Sequence, residues 1–105
     1  MELLQGTLDV LVLKALTWGP QHGYGILQAV FERTGEALEI EEGALYPALH
    51  RLEKRGLLAA EWGVSENNRR ARFYRLTAKG RSELQAETKQ WLAYSRAVTA
   101  LLQSA

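Results

Sequence analysis

Apolar residues recur at helical spacing in the first half of the chain. Residues 7–17 predict a helix with Thr7 as its N-cap and Gly19-Pro20 as its stop. Apolar side chains surround this helix almost completely, so we expect a cover on both sides, the second being a partner subunit. The main stripe is predicted to hold Leu4, Leu8, Leu11 and Ala15, widened by Val12 and Leu16, with Val10 and Leu13 outside it.

A second helix is predicted over residues 24–34, followed by a short extended segment over 38–40. Gly35 suits the exit from this helix, because a helix C-terminus often needs a left-handed residue. The inner face of the helix is predicted to consist of Leu27, Val30 and Phe31.

A third helix, predicted over residues 43–55, has two different faces. Three leucines lie four and three residues apart and form one inward stripe. A proline is tolerated in the first turn, where its missing N–H is not needed, so Pro47 predicts a helix start near Ala44, and Gly56 marks the stop. The inward stripe is Leu45, Leu49 and Leu52; the opposite side carries Gly43, Tyr46, Pro47, His50 and Lys54.

Beyond Gly56 the pattern changes to that of a β-hairpin. Residues 57–65 and 69–76 predict two strands, joined by Glu66-Asn67-Asn68, residue types that tolerate left-handed turns. We expect Tyr74 and Leu76 to point inward, with Phe73 and Arg75 on the other face.

A last helix is predicted from Thr77, its N-cap, to about Gln103. At 1.5 Å per residue it would be about 40 Å long, more than the domain body needs. Its apolar residues follow the spacing of a coiled coil, and we expect this seam to dock on a second subunit. The seam is Trp91, Tyr94, Val98 and Leu101, extended by Leu84 and flanked by Leu92 and Leu102.

This order of elements is that of a winged helix-turn-helix. The predicted fold is mostly α with a small β-hairpin, and a long C-terminal dimerisation helix follows the winged domain. We therefore divide the chain into a winged helix-turn-helix domain over residues 1–78 and a dimerisation helix over residues 79–105. Trp18 and Trp62 are expected in the core or at its edge.

Charge is distributed unevenly along the 105 residues. The net charge is +1, but residues 1–41 hold two bases and six acids, whereas residues 42–81 hold nine bases and four acids. A basic block of this kind is typical of a surface that binds a polyanion. We therefore predict that the chain binds double-stranded DNA.

The composition argues against several other functions. There is no cysteine, which excludes disulfides, thiolate chemistry and cysteine-based zinc sites, and which fits a reducing cytoplasm. No apolar run reaches the 18 to 20 residues that span a bilayer, and the N-terminus lacks the basic start of a signal peptide. His22 and His50 fall in different elements, and no catalytic set or phosphate-binding glycine loop is present, so neither an enzyme nor a cofactor is predicted.

The predicted DNA contacts come from the third helix and the hairpin. The exposed helix face can enter a major groove, where Tyr46 and His50 share one side, and Glu42 could accept from a cytosine amino group. Both Tyr46 packing on a neighbour and a merely solvated basic hairpin stay open as alternatives. The candidate DNA-binding residues are Glu42, Gly43, Ala44, Tyr46, Pro47, His50, Arg51, Asn67, Asn68, Arg69, Arg70 and Arg72.

Several segments resemble the PadR family of bacterial transcriptional regulators. They are Gly23-Tyr24-Gly25-Ile26, residues 43–57 with Leu-Tyr-Pro-Ala-Leu-His-Arg-Leu-Glu at their centre, Glu66-Asn67-Asn68-Arg69, residues 74–80, and Trp91. The single helix after the wing is similar to the smaller subgroup of that family. The resemblance implies a homodimer that binds operator DNA, usually as a repressor, through the last helix aided by the first. The predicted interface is Leu4, Leu8, Leu84, Trp91, Tyr94, Val98, Leu101 and Leu102.

Two further questions stay open from the sequence. The resemblance also implies that a small aromatic effector can release DNA, with Trp91 as one wall of its pocket; plain packing of Trp91 in the seam is the alternative. A winged-helix module that senses ligands or binds proteins without using DNA is the rival function. It would keep the leucine core and the seam but would not need the cluster Arg69, Arg70 and Arg72.

Overall fold

The computed structural model of the chain describes Met1, Leu3, Leu4 and residues 6–105. It confirms the predicted order of three helices, a hairpin and a long final helix. The elements are α1 (Leu8–Ala15), α2 (Gly23–Arg33), α3 (Glu42–Lys54), β1 (Leu58–Val64), β2 (Arg70–Leu76) and α4 (Ala78–Leu102). Residues 38–40, predicted as extended, do not form a strand, although Ile40 is buried.

The core lies where the three short helices meet the base of the hairpin and the start of α4. The leucine stripe of α3 is completely buried, as its spacing predicts. Two inward faces were predicted wrongly: Leu13, expected outside the α1 stripe, and Ile26, left out of the α2 face, are both 0% exposed. The core residues are Val12, Leu13, Ala15, Leu16, Ile26, Val30, Ile40, Leu45, Leu49, Leu52, Leu57, Leu58, Tyr74, Leu76 and Leu84.

The start of α3 differs from the prediction made from Pro47. The helix begins at Glu42, so Pro47 is its sixth residue and lies beyond the first turn. The carbonyl of Glu41 accepts hydrogen bonds from the N–H groups of Ala44 and Leu45, at 3.0 Å each, and this sets the earlier start. Pro47 cannot donate to the Gly43 carbonyl, and the exposure of Gly43 lets water take that place.

Thr7 and Thr77 occupy the predicted N-cap positions of α1 and α4, but only Thr77 caps its helix with its side chain. The Thr7 hydroxyl donates to the Leu4 carbonyl at 2.7 Å and makes no cap bond to α1. By contrast, the Thr77 hydroxyl accepts from the Gly80 N–H at 3.0 Å and donates to the Gly56 carbonyl at 2.7 Å. Thr77 therefore joins the start of α4 to the end of α3.

Helix α4 extends well beyond the rest of the molecule. Its 25 residues span about 37 Å, and the whole chain measures 56 × 28 × 22 Å. Only its first turns are buried, at Gly80 and Leu84. Within the described part of the chain, no helix combines the length and the apolar character needed to cross a bilayer.

Trp18 and Trp62, expected in the core or at its edge, are both more than half exposed. Trp18 is 53% exposed, with the Arg33 guanidinium 3.8 Å and the Lys14 ammonium 5.1 Å from its ring. Trp62 is 61% exposed on β1. Cationic side chains cover parts of both rings, which the apolar pattern alone does not reveal.

Candidate nucleic-acid interface

One face of α3 is open to solvent along the first half of the helix. Because the three leucines point into the core, the side chains on the other face point away from it. The predicted contact residues of this half, and His50 just beyond it, are exposed: Glu42, Gly43, Ala44, Tyr46, Pro47 and His50. The helix thus presents a carboxylate and two small residues at its start, followed by one phenol and one imidazole.

Tyr46 lies close to the start of α2. A Cβ added at Gly23 would lie 2.5 Å from the Tyr46 hydroxyl oxygen, so only glycine leaves room for this side chain. Tyr46 is nevertheless 52% exposed. Packing against a neighbour and presentation to the outside are therefore compatible, although the sequence offered them as alternatives.

His22, to which the sequence assigned no specific role, caps α2. Its Nδ1 accepts a hydrogen bond from the Gly25 N–H at 3.0 Å. The ring also meets Phe73 of β2 edge-on, with 5.3 Å between ring centroids. His22 therefore links the start of α2 to the hairpin.

A second connection between α2 and the hairpin was also missed. Gln21 and Tyr74 exchange two backbone hydrogen bonds, of 3.0 and 2.8 Å, and so add one residue of a third strand to the sheet. A single-residue bridge carries no repeating pattern, and nothing in the sequence predicts it. Its effect is to fix the base of the hairpin beside the helix-turn-helix.

The hairpin forms a wing with a basic, exposed tip. β1 and β2 pair antiparallel from Leu58↔Leu76 to Val64↔Arg70, and Asn68 adopts a left-handed φ of 58° in the turn. Tyr74 and Leu76 are buried, as predicted. At the outer end, the Arg70 guanidinium lies 4.6 Å from the Trp62 ring. The exposed tip residues include Asn67, Asn68, Arg69 and Arg70.

The wing and the helix-turn-helix enclose a cleft of about 650 Å³. Tyr46 stands on one side of it and the wing arginines on the other. Its lining brings together Tyr46 and four predicted wing residues, Asn67, Arg69, Arg70 and Arg72. The other predicted contact residues lie outside it: Glu42, Gly43, Ala44, Pro47, His50, Arg51 and Asn68. The lining is His22, Gly23, Tyr24, Tyr46, Trp62, Ser65, Glu66, Asn67, Arg69, Arg70, Ala71, Arg72 and Tyr74.

Two of the predicted DNA-binding arginines already have carboxylate partners. Arg72 Nη2 donates to Glu53 Oε2 at 2.8 Å, and Arg51 Nη2 donates to Asp9 Oδ1 at 3.0 Å. Arg51 is therefore directed towards α1, away from the cleft. Either arginine would have to exchange its carboxylate for a phosphate in order to contact DNA.

The apolar seam of α4 remains largely uncovered in the protomer. Trp91 is 39%, Tyr94 64%, Leu101 74% and Leu102 77% exposed, and Val98 is half-buried. Leu4 is 70% exposed and Leu8 half-buried. Leu84 differs from the other predicted interface residues: at 8% exposure it belongs to the core of its own protomer, because α4 still packs on the domain at this point.

A cavity of about 370 Å³ opens between α4 and the start of α1. Trp91 and Tyr94 form part of its wall, with 6.5 Å between their ring centroids. Burial raises the pKa of the Glu87 carboxyl in the same wall, and the nearby carboxylates of Glu83 and Asp9 raise it further. The lining is Gly6, Thr7, Val10, Glu87, Gln90, Trp91 and Tyr94.

The described residues contain no cluster of three or more histidine or acidic side chains that could hold a metal ion. The polar groups that line the cleft include three guanidinium groups, three phenols, and one each of amide, hydroxyl, carboxylate and imidazole. Groups of these types can contact phosphates and base edges.

Two solved structures with this architecture are transcriptional regulators. A transcriptional regulator from Clostridium thermocellum superposes with a TM-score of 0.84 and 28% identity over 94% of this chain and 96% of that one. A PadR family transcriptional regulator from Eggerthella lenta gives 0.79 and 35% identity over 96% of this chain and 86% of that one. The fold and its relatives define a winged-helix transcriptional regulator, not an enzyme.

The sequence comparison narrows this class to one family. The model of the transcriptional regulator PadR-like family matches residues 12–86. The transcriptional regulator Rv3488 from Mycobacterium tuberculosis is 41% identical over 63 residues, which cover 60% of this chain and 55% of that protein. The chain belongs to the PadR-like family, and the resemblance seen in its motifs is confirmed.

Proposed function

We propose that this PadR-like regulator binds operator DNA in a sequence-specific manner as a homodimer and represses transcription. The observation that carries the proposal is the cleft, in which Tyr46 of α3 faces the arginines of the wing. An exposed helix face beside a basic hairpin matches the two grooves and the backbone of a duplex. A regulator that acts on chromosomal DNA would work in the cytoplasm.

In the proposed complex, α3 lies in the major groove, which is about 12 Å wide. Gly43, Ala44 and Pro47 would allow a close approach, because none has a long side chain. Tyr46 and His50 would reach base edges or phosphates, and Glu42 would accept from a cytosine amino group. Arg51 would serve as a phosphate contact after leaving Asp9.

The wing would add contacts to the flanking backbone. Asn67, Asn68, Arg69 and Arg70 are exposed at the tip and can reach phosphates or a narrow minor groove. Arg72 is the remaining candidate, and it would first have to leave Glu53. Each phosphate contact replaces condensed counterions, so binding should weaken steeply with salt.

The homodimer would form through the open seam of α4. Without a partner, this seam leaves an apolar surface exposed to solvent, which a second subunit would cover. The surface consists of Trp91, Tyr94, Val98, Leu101 and Leu102, with Leu4 and Leu8 beside it. In this proposal, residues 1–78 form the DNA-binding domain. Residues 79–105 set the distance between the two DNA-binding domains of the dimer. Leu84 would support the interface from within its own protomer.

A small aromatic effector would bind beside Trp91 and release the DNA. The cavity of about 370 Å³ has two aromatic side chains in its wall and a size suited to a small ligand. A variant with Trp18→Phe and Trp62→Phe keeps Trp91 as its sole tryptophan. Its fluorescence, titrated with flat aromatic compounds, should change on binding; no response across a broad panel would favour packing alone.

The DNA-binding proposal is tested by fluorescence anisotropy with duplexes from the protein's own promoter region and with unrelated duplexes of equal length. We expect tighter binding to one promoter segment. The pair Arg69→Ala and Arg70→Ala should each reduce the slope of log affinity against log salt by about 0.9 per protomer. Glu61→Gln is the matched control, because it changes a wing residue by one charge without removing a cation.

Two outcomes would reject the proposal. If the protein sediments as a single protomer even with duplex present, the dimer is absent. If an intact dimer binds all duplexes equally, or binds none while Trp91 still responds to ligands, the chain acts instead as a sensing or interaction module that does not read DNA.

A further inference from the structure

Every side-chain ion pair in the described part of the chain joins the region of α3 to another element. Arg51 pairs with Asp9 of α1 at 3.0 Å, and Arg55, just after α3, pairs with Glu83 of α4 at 3.7 Å. The third pair, between Glu53 and Arg72, has the shortest distance of the three, 2.8 Å, and alone connects α3 to the wing.

The Glu53 carboxylate, on α3, reaches Arg72, which lines the cleft. Glu53 follows Tyr46 by seven residues and His50 by three, spacings that place all three on one stripe of a helix. The carboxylate therefore stands at the C-terminal end of the surface proposed to read DNA. Its side chain is only 28% exposed, so solvent screens it less than it screens a fully exposed glutamate.

Arg72 occupies a special place along the wing. Towards the base, Tyr74 and Leu76 are buried, and the Gln21 bridge holds the backbone of Tyr74. Towards the tip, the neighbouring Arg70 is exposed and its guanidinium rests on Trp62 of the wing itself. The pair with Glu53 is thus the outermost ion pair between the wing and the described body of the protein.

We propose that Glu53 is a specificity-determining positioning residue, which holds the wing at a fixed angle to α3 through Arg72 and keeps Arg72 away from phosphates. The proposal rests on the function proposed for the cleft. Phosphates are the same in every sequence, so an arginine released onto them strengthens all DNA binding alike. A fixed wing, by contrast, favours only those duplexes whose shape fits both the wing and α3.

The first test needs no DNA. Amide hydrogen exchange across residues 62–72 is measured for the wild type, Glu53→Gln, Arg72→Gln and the double variant, with Glu61→Gln as the control for a lost wing charge. We expect faster exchange in Glu53→Gln and Arg72→Gln, no further increase in the double variant, and wild-type exchange in the control. Unchanged exchange in Glu53→Gln, at unchanged unfolding temperature, would overturn the proposal.

The second test compares a promoter duplex that the wild type binds with an unrelated duplex of equal length. In Glu53→Gln, affinity for the unrelated duplex should rise and its salt slope should steepen by about 0.9 per protomer, because Arg72 gains a phosphate. The ratio between the two affinities should fall by about fivefold per half-site, the upper range for a surface ion pair.

The two tests separate the possible failures. Suppose that Glu53→Gln and Glu61→Gln both raise the affinity for the two duplexes by the same factor. The Glu53 carboxylate would then act only through its charge, which overturns the positioning role. If the wild type does not distinguish the two duplexes, the proposed function fails and the specificity role with it. Hydrogen exchange would still decide whether Glu53 holds the wing.

Discussion

Helix α3 and the outer half of α4 carry similar apolar stripes but use them differently. In α3, Leu45, Leu49 and Leu52 are fully buried by the protein's own helices. In α4, Trp91, Tyr94, Val98 and Leu101 follow the same spacings of three and four residues. Yet Trp91, Tyr94 and Leu101 are 39% to 74% exposed. The spacing of a stripe thus shows that a face needs a cover, but not whether the same chain provides it.

The strongest contrast should come from shortening one leucine on each helix. Leu49→Ala should lower the free energy of unfolding by about 2 to 5 kcal/mol, because it leaves a cavity in a closed core. Leu101→Ala, which removes the same atoms from an exposed position, should leave the unfolding of the isolated protomer nearly unchanged. Urea unfolding at low protein concentration checks both; equal losses would remove the distinction between the helices.

A second variant tests whether a partner closes the α4 seam. Trp91→Ala combined with Leu101→Ala should weaken the proposed dimer by about 30-fold or more, since buried aromatic anchors contribute about 2 kcal/mol or more to interfaces. Analytical ultracentrifugation over a range of concentrations measures this. A dissociation constant equal to that of the wild type would show that the seam is not the contact.

The contact between the start of α4 and the backbone of Leu57 should be sensitive to a single added methyl group. A Cβ at Gly80 would overlap the backbone carbonyl of Leu57, so Gly80→Ala should cost about 1 to 3 kcal/mol of stability. Gly43→Ala is the matched control: its Cβ would meet nothing within 4 Å, and alanine should stabilise α3 by about 0.5 to 1 kcal/mol. The unfolding temperature should fall in Gly80→Ala and rise in Gly43→Ala. A lower unfolding temperature in both variants would contradict the close approach at Gly80.

The smallest effect concerns Glu87, where α4 leaves the domain. Its pKa in the folded chain is raised above the ordinary 4.5, mainly by burial, so the charged form costs stability above that folded pKa. This cost disappears as pH falls below the unfolded pKa, where both states are protonated. Glu87→Gln should therefore be slightly more stable than the wild type at pH 7 and equal to it below about pH 4. A lower unfolding temperature for Glu87→Gln at pH 7 would contradict this.

The sequence predicted those parts of the fold that depend on local pattern. The leucine stripe, the left-handed Asn68 and the cap at Thr77 each follow from the residue type at its position. The inner faces of α1 and α2 were less certain, because α1 is apolar nearly all round and its pattern does not distinguish Leu13 from Leu11. The start of α3 was misplaced because a backbone carbonyl, which every residue has, sets it.

The candidate site was predicted in its residue types but not in its connections. The exposed face of α3 and the basic wing follow from the sequence, whereas the pairs of Arg51 with Asp9 and of Arg72 with Glu53 join residues that are 42 and 19 positions apart. No local spacing indicates such pairs. The cap made by His22 was missed because histidine is not among the usual N-cap residues.

The hydrogen atom that serves as the side chain of Gly23 has a consequence for the evolution of this surface. Any larger group there would displace the phenol of Tyr46 and so change the shape that α3 presents, although Gly23 belongs to a different helix. Altered preference among target sequences should therefore also arise from substitutions in α2. A selection experiment for new DNA target sequences that randomises only α3 would overlook these α2 substitutions.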